Sequence, residues 1–244
     1  MNDFLFGRHA VQSALNAGQN LNKIWIAEGA SGNLAQVIAI AKQRGIPVST
    51  VDRRKLDQMV SGENHQGIVA GLAEESFVDL EDLMERTRSK GNERFLILLD
   101  GLEDPHNVGA VLRTAEAAGA QGMVITKHRS VGLTGGVAKA AAGALSRIPV
   151  ARVVNLVQAM EQLQQDGYWI IGADQRGEQR YTQAKLTGPV AIVVGAEGKG
   201  MSRLVRERCD LVVRIPMDGE TSSLNASVAA GVLMYEVVRQ RGLS

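Results

Sequence analysis

The chain has 244 residues and a mass of 26.1 kDa, room for one large domain or two modest ones. With 45% hydrophobic and 22% charged residues it is neither a disordered tail nor a collagen-like fibre, and no apolar run approaches the ~20 residues that cross a bilayer. Its 27 Lys+Arg against 26 Asp+Glu lack the basic excess of many nucleic-acid binders, so any RNA contact has to come from a local patch.

The start MNDFLFGRHAVQSAL has no basic segment followed by an apolar stretch and a small-residue cleavage site, which points to a cytoplasmic location. Cys209 is the only cysteine, so neither an intrachain disulfide nor a cysteine-based zinc site forms. The histidines show no metal-ligand spacing, and no metal is expected.

From Lys23 the runs KIWIAE, an Ala/Leu/Ile-periodic stretch over 33–44, IPVSTVD, RRKLDQM and GIVAGLA alternate between strand-like and helical patterns. They predict a small α/β domain over residues 1–73. The segment EESFVDLEDLMERTRSKGNER carries four bases against seven acids and closes on a Gly-Asn break, which predicts a linker over 74–94 with one short helix. From Phe95 a longer series begins. FLILLD, GMVIT, PVARVV, YWIIGA and VAIVVGA read as strands, and NVGAVLRTAEAAGA, GGVAKAAAGAL and NLVQAMEQLQQDG as helices. Short apolar runs separated by helices predict a mostly parallel sheet covered on both faces, and hence an α/β domain over 95–244.

In open α/β sheets ligands bind beyond the carboxyl ends of the strands, so the turns there are the places to look. After FLILLD comes DGLEDPHNVG, where Asp104-Pro105 starts a turn and Asn107 is placed to cap the helix carrying Arg113. Val108, Val111, Leu112 and Ala115 make that helix's buried stripe, and Arg113 lies off its edge. After VAIVVG comes GAEGKGMS, with Gly195, Gly198 and Gly200 around Glu197, where backbone can approach a ligand closely and adopt positive φ. It is not a P-loop, since Lys199 is followed by Gly200, and it is not GxGxxG, since the third glycine would fall at Arg203. Glu197 also places a carboxylate where a phosphate would go, so a neutral or cationic ligand fits better. The third segment, RIPMDGETSSLNASVAAGVLMYEVV, opens an apolar helix with Ser222, Ser223, Asn225 and Ser227, more polar capping than one helix needs.

Together the three stretches resemble the SpoU-type branch of the SPOUT RNA methyltransferases, which move a methyl group from S-adenosyl-L-methionine to a ribose 2′-hydroxyl. Asn107 with Arg113 six residues on matches the first motif, GAEGKGM the second, and IPM followed by SSLNASVA the third, in order over residues 95–241. FGRHAV at the start and NHQGIVA near residue 64 resemble the amino-terminal substrate-binding domain of several members, similar to ribosomal protein L30e. The resemblance is greatest to members that modify a guanosine of 23S rRNA.

The resemblance implies a carboxyl-terminal chain threaded into a deep trefoil knot, a path that general topology rules would reject. It also implies a cofactor held by Gly195, Ala196, Glu197, Gly198, Gly200, Ile215, Pro216, Met217 and Leu224, largely through backbone. Arg113 is the implied catalytic residue, with Asn107, Glu197, Ser223 and Asn225 as its polar support. The implied assembly is a homodimer through the knotted domains, each arginine acting close to the partner's cofactor pocket. An arginine stays protonated, so Arg113 is either an unusual base or a phosphate-anchored positioner of the ribose. In the amino-terminal domain Arg8, His9, His65 and Gln66 are the candidate RNA-binding residues, with Arg53, Arg54 and Lys55 nearby in sequence. Two rivals stand beside the rRNA reading: a tRNA 2′-O-methyltransferase, and a non-catalytic RNA-binding factor of ribosome assembly that keeps the fold. A nucleotide-dependent enzyme is disfavoured by the two failed phosphate motifs.

Overall fold

The computed structural model describes residues 4–16, 21–30, 34–72, 77–128, 130–133, 135–221 and 223–242; the predicted junction at 73–74 and Ser222 lie outside these. The chain forms two compact units, the first through Ser76 and the second from Phe77.

The first unit holds β1 (Phe4–Phe6), α1 (Arg8–Asn16), β2 (Leu21–Ala27), α2 (Ala35–Gln43), β3 (Val48–Val51), α3 (Arg53–Met59) and β4 (Ile68–Leu72). Its sheet runs β1, β4, β2, β3, with β4 antiparallel to both neighbours and β2 parallel to β3. Alternation along the strands sends Ile24, Ile26, Ile68 and Ala70 to one face, against Val11 and Leu15 of α1 and Val37 and Ala41 of α2. Trp25, Ala27 and Val69 go to the other face, with Leu56 of α3. Asp52 caps α3, its Oδ1 accepting from Arg54 N at 2.7 Å. Strand β1, three residues next to a glycine, is too short a pattern to read from the sequence, and α1 follows it directly.

The second unit holds α4 (Leu80–Arg88), β5 (Phe95–Asp100), α5 (Pro105–Ala117), β6 (Gly122–Thr126), α6 (Gly135–Ala141), β7 (Val150–Val153), α7 (Leu156–Gln165), β8 (Trp169–Ala173), β9 (Gln179–Arg180), β10 (Val190–Gly195), α8 (Arg203–Arg208), β11 (Leu211–Arg214) and α9 (Ala226–Arg241). The seven strands are all parallel, in the order β7, β6, β5, β10, β8, β11, β9. The mixed α/β class with a parallel sheet and a small amino-terminal α/β unit is thus as the sequence predicts. Strand β10 is buried along its whole length, as a central strand covered on both faces must be. Leu96 and Leu98 of β5 face α4, α7 and α8. Helix α9 packs on α5 and on β10. Its carboxyl end is pinned by Arg241, which donates to the carbonyls of Glu93, Arg94 and Gly188. Among the described residues no helix is long and apolar enough to cross a membrane.

The 74–94 segment differs from its reading as a linker over the part that is described. Helix α4 lies there, but Leu80 and Leu83 are buried in the core of the second unit, and a Cβ on Gly122 would sit 2.3 Å from Leu83 Cδ1. Two leucines among many charges look like part of a solvated segment in sequence; only the sheet face waiting for them makes them core. A fragment starting at Phe77 and one starting at Gly91 are therefore expected to differ. Losing two buried leucines costs about 5 kcal/mol or more, so thermal denaturation is expected to show the shorter fragment melting at least about 10 °C lower, if it folds. Equal melting temperatures would mean that α4 is dispensable packing.

Candidate active site

The carboxyl ends of β5, β10, β8 and β11 lie side by side, so the turns that follow them converge. Beyond β5, the N-cap of α5 is Asp104 and not Asn107: its Oδ1 accepts from His106 N at 2.9 Å, and Pro105 takes the first helical position. The capping role expected of Asn107 is therefore corrected. Asn107 sits inside the first turn, 6% exposed, with its amide directed sideways to other loops. The Asp-Pro signal that starts the turn also supplies the cap, which leaves the asparagine free.

Beyond β10, residues 196–200 close on themselves as a small hairpin. Ala196 N donates to Gly200 O at 3.1 Å and Gly200 N to Ala196 O at 2.8 Å, with Gly198 and Gly200 at φ +72° and +67°. A Cβ on Gly195 would lie 2.1 Å from Gly200 C and 2.2 Å from Met201 N, so backbone packs on backbone there. At Gly198 a Cβ would meet nothing within 4 Å, and that glycine is required for its φ alone. The loop's exit is held by Asp100 at the end of β5, whose Oδ2 accepts from Ser202 N at 2.6 Å.

Beyond β11, Asn225 is the N-cap of α9. Its Oδ1 accepts from Ser227 N at 2.9 Å, Val228 N at 3.3 Å and Ser227 Oγ at 2.6 Å. Its amide nitrogen donates to Asn107 Oδ1 at 2.9 Å and to Glu197 Oε1 at 2.5 Å, while Asn107 Nδ2 donates to Glu197 Oε2 at 3.4 Å. Asn107, Glu197 and Asn225 thus form a closed cycle tying three loops together. Glu197 accepts one amide hydrogen bond on each carboxylate oxygen and does not line the neighbouring cavity, so its part is to tie the loops together.

In front of the cycle lies a cavity of about 400 Å³, within the roughly 300–1,000 Å³ range of small-molecule sites. Of the predicted cofactor residues, Gly195, Ala196, Gly198, Gly200, Ile215 and Leu224 line it, joined by Ser223. Glu197, Pro216 and Met217 do not. The sequence reading missed the turn after β8, which contributes Ala173, Asp174, Gln175 and Arg176, together with the apolar Val194 and Val213 and the first turn of α9 at Ala226 and Ala229. The rule that located the other turns applies equally to the end of β8. Its relevance depends on β8 lying between β10 and β11, which the strand pattern does not reveal. Asp174 is held below the usual carboxylate range, chiefly by its hydrogen bonds to the Arg176 guanidinium, against the opposing effect of burial.

Arg113 is exposed, does not line this cavity, and among the described residues has neither a hydrogen bond nor an ion pair. It lies six residues beyond Asn107 on α5, about 9 Å along the helix axis. Asn107, Glu197 and Asn225 are brought together; Arg113 is not brought to them.

In the first unit, Arg8 and Gln66 meet. Gln66, at φ +53°, accepts from Arg8 N through Oε1 at 3.2 Å, and its carbonyl accepts from Arg8 Nε at 3.1 Å. His9 is exposed beside them on α1. His65 is 2% exposed: Nδ1 accepts from Gly67 N at 3.0 Å, which places the ring proton on Nε2, 2.9 Å from Asp57 Oδ1. With both nitrogens engaged, His65 holds the turn that presents Gln66. Among the described residues, no group of three or more His, Cys, Asp or Glu is arranged to hold a metal ion.

Comparison with known proteins bears on this arrangement. Residues 94–235 match the profile of the SpoU rRNA Methylase family, and residues 4–78 match that of the RNA 2′-O ribose methyltransferase substrate-binding family. YacO of Bacillus subtilis (strain 168), assigned to the TrmH family of tRNA/rRNA methyltransferases, is 48% identical over 98% of this chain and 96% of its own. A solved RNA 2′-O ribose methyltransferase is 27% identical with a TM-score of 0.68, covering 98% of this chain and 88% of its own. An AdoMet-bound rRNA methyltransferase from Sinorhizobium meliloti shares the fold, with a TM-score of 0.78 over 98% of this chain and 87% of its own, at 24% identity.

Proposed function

The chain belongs to the SpoU rRNA methylase family and is an RNA methyltransferase, and from that premise we propose that it transfers a methyl group from S-adenosyl-L-methionine to a ribose 2′-hydroxyl, most specifically of a guanosine in 23S rRNA. The observation that carries the reading is the cavity at the strand ends, walled by the glycine hairpin and backed by the Asn107–Glu197–Asn225 cycle. The fit rests on its chemistry. Val194, Val213, Ile215 and Leu224 offer an apolar slot for a purine, and the hairpin at 196–200 brings backbone close enough to replace side chains in recognition.

Bound there, S-adenosylmethionine supplies an electrophilic methyl carbon whose sulfonium leaving group departs neutral. The protein's part is to hold that carbon in line with the ribose hydroxyl, an alignment worth several kcal/mol of barrier. Asn107, Glu197 and Asn225 keep the three loops in register. Arg113, with an unengaged planar fork, anchors the phosphate beside the target ribose and so places its 2′-oxygen.

Because Arg113 stands apart from its own chain's cavity, the reaction needs a second copy. Over residues 228–238 helix α9 carries a single charged residue, Glu236, and Val228 and Tyr235 are 51% and 52% exposed on it. A homodimer through α9 and the neighbouring α5 covers that face and delivers each Arg113 to the partner's cavity. The same family premise extends to the chain path, with the segment after β11 threaded as the trefoil knot. The amino-terminal unit serves as the RNA-binding domain, through Arg8, His9 and Gln66, with His65 as their support. A cytoplasmic location goes with that substrate.

Mapping of 2′-O-methyl sites in rRNA and tRNA from cells with and without the gene tests the activity and the target. The expected result is loss of a single guanosine modification in 23S rRNA. Loss of a tRNA modification instead would move the substrate to tRNA, and no loss anywhere would favour the non-catalytic assembly factor.

A further inference from the structure

Asp174 is the one carboxylate among the described residues lining the cavity, and its side chain is only 5% exposed. It is held from one side. Oδ1 accepts from Arg176 N at 2.9 Å and Arg176 Nε at 2.8 Å, and Oδ2 accepts from Arg176 Nη2 at 2.7 Å. A carboxylate oxygen takes two donors, so Oδ1 is filled and Oδ2 keeps one acceptor position. Oδ2 is also the oxygen nearest the glycine hairpin, since a Cβ on Gly200 would lie 3.3 Å from it. The glycine thus leaves room beside the one unused acceptor.

S-adenosylmethionine carries two kinds of donor that could take that position, the ribose hydroxyls and the α-ammonium. Charge separates them. An ammonium binding Oδ2 would have to approach the Arg176 guanidinium that already sits 2.7 Å from the same oxygen, and Arg206 adds to the positive field there. A hydroxyl carries no net charge and donates to an arginine-paired carboxylate without that repulsion. Resting on the reading that this cavity holds S-adenosylmethionine, we propose that Asp174 is its ribose-recognition residue: Oδ2 accepts a hydroxyl hydrogen of the adenosine ribose. Arg176 is the positioning residue that fixes the carboxylate.

The test is calorimetric binding of three compounds to the full chain: S-adenosylhomocysteine, its 2′,3′-dideoxyribose analogue, and 5′-methylthioadenosine, which lacks the amino-acid portion. Asp174→Asn, which cannot accept the arginine fork as a carboxylate does, is expected to weaken S-adenosylhomocysteine and methylthioadenosine alike, by about 10-fold or more, as for a hydrogen bond to a charged group. The dideoxy analogue is expected to bind the variant and the wild type within about twofold, which also reports that the variant is folded. Arg176→Ala is expected to show the same pattern with a smaller loss. The proposal is overturned if the loss disappears with methylthioadenosine, which would make the ammonium the partner. It is equally overturned if the dideoxy analogue is weakened as much as S-adenosylhomocysteine, or if Asp174→Asn changes nothing. Failure of the wild-type chain to bind any of the three compounds would instead overturn the cofactor reading, and this proposal with it.

Discussion

Arg113→Ala is expected to lower single-turnover RNA methylation by about 10²-fold or more, ~2.7 kcal/mol of transition-state stabilisation, while leaving affinity for S-adenosylhomocysteine within about twofold. The split follows from geometry: the guanidinium is exposed and unengaged, and it lies outside the cavity of its own chain. Arg113→Lys keeps the charge and loses the planar fork, so strong impairment of that variant would show that geometry matters and partial activity that charge suffices. Mixing gives a sharper readout. If each arginine serves the partner's cavity, an Arg113→Ala chain paired with a cofactor-defective chain regains one working site per mixed dimer. Near-normal rates in the alanine variant at saturating RNA and cofactor would return Arg113 to a solvated helix residue.

The second large effect is expected at Gly195. Its Cα lies against the backbone of Gly200 and Met201, where no side-chain rotation can relieve an added methyl group. Gly195→Ala therefore has to push the 196–200 hairpin away from the end of β10, a strain of about 3 kcal/mol or more. The hairpin walls the cavity, so S-adenosylhomocysteine affinity is expected to fall by about 10²-fold or more, measured by calorimetry, with a lowered melting temperature. Gly198→Ala is the matched control. Its added Cβ meets nothing, and the cost is the left-handed backbone alone, about 1–2 kcal/mol. If the two substitutions have equal effects on binding, close backbone packing at Gly195 is not what shapes the site.

Local pattern was enough for much of this protein. Apolar runs bounded by glycine, proline and charge located β5, β6, β7, β8 and β10: the inner strands, buried on both faces, leave a continuous apolar signature, and the edge strand β7 keeps part of it at Val150 and Ala151. Glycines clustered around one glutamate, and polar residues crowded at a helix start, marked two turns with more chemistry than folding needs. Their joint order along the chain pointed to the family. Where a signal had two owners, sequence was not enough. Asp104 and Asn107 both fit an N-cap, and the hydrogen bond of Asp104 to His106 N decides between them. His65 in a polar segment reads as an RNA-binding residue; its burial and its hydrogen bonds to Gly67 N and Asp57 make it the brace of the turn that carries Gln66.

What sequence by itself determined is therefore the class of the fold, most of the strands, and which residue types stand at the strand ends. What only the tertiary structure decided is which ends are neighbours. Strand β10 enters the sheet between β5 and β8, contacts made across many intervening residues for which no local periodicity codes. That insertion brings Asn107 to Glu197, 90 residues away, and to Asn225, 118 residues away. It also turns the unremarked Asp174 after β8 into a wall of the same cavity, while β7 and Gly122 of β6 take up α4 where composition had suggested a linker. Hydrophobic burial is non-directional and its partners are distant in the chain, so a sequence shows which residues will be covered but not which strand end will stand beside which.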